Sequence, residues 1–145
     1  MSKLISIDPG NEKCGLLLVD TKSRNVIDAR ISSLENFPDL VCFWYENYLI
    51  EEIIIGNGTN SNFLERKLKE KKIYNLSFVD ERGSTMRARF RYWELWPPKY
   101  IFRFIPKELL FPPDNLDAIV ALILAEEFLN TRLHWPHKVN IKIWP

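Results

Sequence analysis

The chain has 145 residues, 46% of them apolar, with 20 basic and 19 acidic side chains and a formal net charge of +1. That length suits one compact domain, read as spanning 1–145, and the apolar fraction suffices for a real core. The even charge balance excludes any argument for or against nucleic acid from whole-protein charge. Cys14 and Cys42 lie too far apart in sequence to suggest a disulfide framework or a cysteine zinc site.

The apolar run after Met1-Ser2-Lys3 ends at Asp8, too short for a signal peptide, and no stretch approaches the roughly 20 apolar residues of a membrane span. The expectation is a soluble, cytoplasmic protein with no membrane partner. Leu4-Ile5-Ser6-Ile7 reads as a buried strand, stopped by the turn Asp8-Pro9-Gly10. Cys14 to Asp20 and Asn25 to Ile31 read as two more strands, and short connections make the three an antiparallel meander. The pattern then alternates. Phe37 to Leu49 has helical spacing, Ile53-Ile54-Ile55 reads as a strand buried on both faces, and Asn62 to Lys72 reads as a helix capped by Thr59 and Ser61. Leu76 to Val79 is the next strand. Ser84 caps a helix from Thr85 to Leu95 with Met86, Phe90 and Trp93 on its core face, and Pro97-Pro98 ends it. Arg103 to Ile105 reads as a short extended piece, and Asn115 to Leu129 as the last helix. The tail, 131–145, is open between packing on the domain and remaining mobile. This order predicts an α/β fold, a mixed central sheet with helices on both faces.

The carboxylates fall at the ends of these elements. Asp8 ends the first strand, Asp80 and Glu81 follow a later one, and Asp117 sits in the first turn of the last helix. Ligands of open α/β sheets favour the carboxyl ends of strands, so parallel neighbouring strands would bring Asp8 and Glu81 together, with Asp117 over the same edge. Carboxylates suit hard divalent cations, and paired cations activate water in phosphodiester cleavage. One at a time, each acid also has a plain structural role. Asp8 suits a turn, Glu81 can pair with Arg82, and Asp117 can cap a helix with Asp114.

The motifs also carry a resemblance. Leu4 to Asp20 (LISIDPGNEKCGLLLVD) resembles the opening of the YqgF family of RuvC-like proteins. EIIIGNGTNS, Glu52 to Ser61, is similar to that family's strand and glycine loop. VDERGSTMRAR, Val79 to Arg89, is similar to its Asp-Glu-Arg-x-x-Thr-x-x-Ala signature, and Asp117 to Leu129 to its closing acidic helix. The resemblance implies an RNase H-like fold and a nuclease dependent on Mg²⁺ or Mn²⁺, with one or two ions. Its substrate would be structured nucleic acid, either four-way junction DNA or the 5′ end of precursor 16S ribosomal RNA. It implies Asp8, Glu81 and Asp117 as catalytic and metal-binding residues, with Asp80 and Asp114 as alternative ligands. This chain departs from the family where it reads Gly-Asn-Gly-Thr in place of Gly-Leu-Pro, and where Leu116 precedes Asp117 in place of a second aspartate.

Between Arg82 and Lys107, basic residues interleave with aromatics. Cations neutralise phosphates and aromatic faces stack on bases, so Arg82, Arg87, Arg91 and Lys99 are candidate nucleic-acid contacts. Thr59, with Gly56 and Gly58, is a candidate for offering main-chain N–H groups to phosphate. His134 and His137 lack a full metal-ligand set and receive no role. A metal-dependent nuclease is the leading reading, and a non-catalytic nucleic-acid-binding module on the same fold is the alternative. A phosphotransferase ranks last. A junction resolvase would call for a homodimer, whereas an RNA-processing nuclease can act as a monomer.

Overall fold

The opening apolar run becomes the middle of a sheet. β1 (Lys3–Pro9) has six consecutive buried residues, as a strand covered on both faces requires. It pairs antiparallel with β2 (Lys13–Asp20), placing Asp8 opposite Gly15. β3 (Asn25–Ser33) continues the meander. On the other side of β1 lie β4 (Ile50–Gly56) and then β5 (Leu76–Val79), both parallel to it. The structure is a computed structural model that describes residues 2–58, 60–98, 104–106 and 116–145.

The sheet order is β5-β4-β1-β2-β3-β6. The meander and the parallel pair match the sequence expectation, and β6 (Ile141–Trp144) is an addition. It pairs parallel with β3. Before it, His134 donates its main-chain N–H to the Arg24 carbonyl at 2.8 Å and accepts from Val26 at 2.9 Å. The tail therefore packs onto the sheet.

Strand alternation sorts the core into two layers. Ile5, Ile7, Leu16, Leu18, Ile53 and Ile55 face α1 (Phe37–Asn47) and α2 (Ser61–Glu70). Leu4, Leu17, Val19 and Ile54 face α3 (Ser84–Leu95) and α4 (Asp117–Leu129). Every residue of α4 from Ala118 to Ala125 is buried, because this helix lies between the sheet and α3. The Ser6 hydroxyl donates to the Ala121 carbonyl at 2.7 Å and ties β1 to α4.

Several local expectations change. Met86 is exposed, and the buried line of α3 runs through Ser84, Ala88, Arg91 and Tyr92. Trp93 stays partly buried against the core, and Arg91 pairs with Glu126 on α4. Ser84 is the first residue of α3, preceded by Gly83 at φ 72°, and does not cap it. α2 starts after Asn60, with no side-chain cap, and Thr59 lies outside the described residues. Phe104 and Ile105 form a turn and a bend, while Arg103 lies outside the described residues.

The close approach that sets the geometry is at Gly15. A Cβ there would overlap the Asp117 carbonyl and stand 2.6 Å from the Ala118 nitrogen. Gly15→Ala is expected to push α4 off the sheet and cost about 1–3 kcal/mol, read as a lower midpoint in urea denaturation. An unchanged midpoint would mean that α4 does not rest on this strand.

Candidate active site

Asp8 is a charged residue in a row of buried positions. It follows Leu4 and Ser6 on the α4 side of β1 and is itself buried. β4 and β2 flank it, each about 4.8 Å away across the sheet.

Glu81 reaches the site over β4. The Asn57 N–H donates to the Val79 carbonyl at 2.8 Å, holding the end of β5 against the loop after β4. The chain then turns, and the Ser84 N–H donates to the Glu81 carbonyl at 3.0 Å. The Glu81 carboxylate lies on the glycines of that loop. A Cβ at Gly56 would stand 2.5 Å from Glu81 Oε2, and one at Gly58 would overlap Oε1. Of the N–H groups expected to meet phosphate, that of Gly58 is engaged within the loop, and Thr59 lies outside the described residues. The Gly58 N–H is already bonded to the Gly56 carbonyl at 2.9 Å, and the two glycines instead make room for a carboxylate. The Gly-x-Gly pattern was the sequence signal for this, but the side chain it accommodates lies more than twenty residues on.

Asp117 is the first residue of α4, on the far side of Asp8. Leu116 precedes the helix at the N-cap position, and its side chain makes no capping bond. Asp114 lies outside the described residues. The three carboxylates proposed from the sequence thus gather on one face, with Asp8 on the central strand, Glu81 over β4 and the Asp117 main chain against β2.

Electrostatics register this convergence. Burial, then the charges of Asp117 and Glu81, push the Asp8 carboxyl from its ordinary 3.8 to about 8. Glu81 is raised too, first by burial and then by Asp80. The Cys14 thiol beneath is raised by burial and by Asp8 and Asp117. Among the described residues, no three His, Cys, Asp or Glu side chains form a ready ligand shell. The donor set itself is all oxygen, which suits Mg²⁺ or Mn²⁺.

The other candidates divide. Asp80 is exposed and accepts the Arg82 N–H at 3.0 Å. That bond, with the charges of Arg82 and Arg87, holds it below its ordinary value, in a turn beside the site. The Arg82 side chain is 92% exposed and touches Asp80 at 3.4 Å, so its guanidinium stands at the surface in the turn that carries Glu81. Arg87 is half-exposed. It donates to Glu127 on α4 at 2.7 Å and to the Arg82 carbonyl at 2.9 Å, which ties the Glu81 turn to α4. Arg91 departs from expectation. It is buried, forks onto Glu126 at 2.9 and 3.1 Å, and donates to the Leu133 carbonyl at 3.0 Å, so it is a structural tie with no reach to phosphate. Lys99 and Thr59 lie outside the described residues.

No family model matches the chain, and no curated protein sequence does. Among solved structures it is similar to the large terminase nuclease from thermophilic phage G20c, with a TM-score of 0.57 and 11% identity. The match covers 86% of this chain and 81% of that one. At that identity the likeness concerns the fold, which is the RNase H-like arrangement of a mixed sheet between helices.

Two outcomes follow. Between the ordinary 3.8 and about 8, folded Asp8 holds a proton that the unfolded chain has released. Stability should therefore fall as pH rises through this window. Asp8→Asn should flatten that slope in thermal melts across the range, and an unaltered slope would contradict the placement of Asp8. Arg91→Ala would leave the Glu126 carboxylate buried without its partner, at a cost of about 3–5 kcal/mol, measurable by urea denaturation.

Proposed function

We propose that this chain is a divalent-metal-dependent nuclease that hydrolyses phosphodiester bonds in nucleic acid. The observation that carries the reading is a buried carboxylate, Asp8, at the sheet end with Asp117 and Glu81 close enough to add to the effect of burial on it. Such a cluster is costly by itself and becomes favourable when a cation neutralises it. Asp8, Glu81 and Asp117 would hold Mg²⁺ or Mn²⁺, as one or two ions, and Asp80 and Asp114 are secondary donors. When bound, the ion would supply an activated water and stabilise the leaving oxygen.

The chain's own residues do the rest. Asp8 would hold the ion as the carboxylate, giving up the proton that burial favours. Glu81, seated over Gly56 and Gly58 in a turn held by Arg87, would supply a second carboxylate to the ion. Arg82, at the surface beside Glu81, meets a backbone phosphate. We extend the reading to the substrates of the YqgF family, precursor 16S ribosomal RNA or four-way junction DNA, on the strength of the sequence blocks that carry that resemblance. Cutting both strands of a junction would require a homodimer.

A non-catalytic nucleic-acid-binding module is the second reading. It is favoured by the finding that no three side chains among the described residues form a ready ligand shell.

Incubation of labelled precursor rRNA, junction DNA and single strands with Mg²⁺ or Mn²⁺ tests both. Cleavage that disappears in Asp8→Asn is the expected result. Equal cleavage by wild type and Asp8→Asn would sink the nuclease reading, and metal-independent binding without cleavage would favour the module. Mn²⁺ should also raise the melting temperature more at about pH 8 than at about pH 5, because the cation then displaces less proton from Asp8.

A further inference from the structure

On the same face of the sheet, beside the acidic cluster, lies a groove of about 700 Å³. We infer that it holds an unpaired base of the nucleic acid, next to the phosphate presented to Asp8; this rests on the nuclease reading above. Lys13 lines the groove and lies on the same side of β2 as Gly15, two residues away or roughly 7 Å along the strand. Gly15 is opposite Asp8 and touches the Asp117 main chain. The groove therefore runs away from the carboxylates across β2, β3 and β6. The pairings Lys13 with Ser33 and Ile31 with Ile143 carry its floor.

Its lining matches a base with an attached phosphate. Ile31, Ile141, Ile143 and Trp96 give a flat apolar surface, and Ile143 is 78% exposed, a large aliphatic side chain left open beside an indole. The Trp96 ring is braced at 5.1 Å by Tyr92 and edge-on at 5.4 Å by Trp135, so it is set before any ligand arrives. Ser33, Asn140 and Glu12 supply hydrogen-bonding groups for the edge of a base, and exposed Lys13 supplies a cation for the backbone. The volume lies in the range of pockets that enclose small ligands. A base enters such a pocket only when it is out of its pair and stack. The substrate class that follows is nucleic acid with unpaired nucleotides at the cut, such as a single-stranded extension or an opened branch, in preference to continuous duplex.

The test uses Ile143→Glu and Lys13→Ala, both at exposed positions. Fluorescence anisotropy of a labelled single-stranded oligonucleotide, in EDTA, reads binding without cleavage. Each variant is expected to bind about tenfold more weakly than wild type, with an unlabelled blunt duplex of the same sequence competing poorly. Mn²⁺ binding by each variant should equal that of wild type, which separates the groove from the acidic cluster. Wild-type oligonucleotide affinity in both variants, or equal competition by duplex, overturns the proposal. Because binding is measured without metal, the groove is judged on its own even if Asp8→Asn cleaves as wild type does. In that case the nuclease reading falls and the binding result still decides the groove.

Discussion

The placement of α4 directly on β2 at Gly15 governs the rest of the site. A helix can begin that close to a strand only where the strand has no Cβ, and here the contact is with the main chain of Asp117 itself. Asp8 is the residue paired with Gly15, so the same contact that seats the helix brings Asp117 towards Asp8. Gly56 and Gly58 play the corresponding part for Glu81. Three missing side chains make room for the Glu81 carboxylate and for the main chain of Asp117. The bond from Ser6 to Ala121 and the burial of α4 then keep the helix from retreating.

What results is a fold that concentrates negative charge where water is scarce. Burial and two like-charged neighbours oppose the ionisation of Asp8, and the protein accommodates this with a proton. The Glu81 carboxylate lies over the glycine loop, and among the described residues no ready ligand shell forms. Asp80, in contrast, remains exposed in a turn with Arg82 and is stabilised as the anion. Adjacent acids in the sequence thus acquire opposite behaviour, because one faces the interior and the other faces solvent.

The arginines illustrate where local reading stops. Arg82, Arg87 and Arg91 look alike in sequence, a cationic series near an acidic motif. Arg91 is taken up by Glu126, 35 residues away, and Arg87 by Glu127, 40 residues away. Both glutamates sit on α4, so these pairs hold α3 and the Glu81 turn against the helix that carries Asp117. Nothing within a helical turn of Arg91 reveals its partner, and on the same helix Met86 faces out while Ala88 and Tyr92 face in. Arg82 meets the neighbouring Asp80 and remains at the surface.

By itself the sequence determined the order and type of almost every element, because apolar period and turn residues are local properties. It also determined which carboxylates end those elements, and so named Asp8, Glu81 and Asp117 together. Only the tertiary structure decided that β6 joins the edge of the sheet, that Arg91 is buried, and that the glycines at 15, 56 and 58 are spaces for the site. Each of these depends on a group that lies far away in the chain. A residue that acts by lacking a side chain has no chemistry to read until its neighbour is in place.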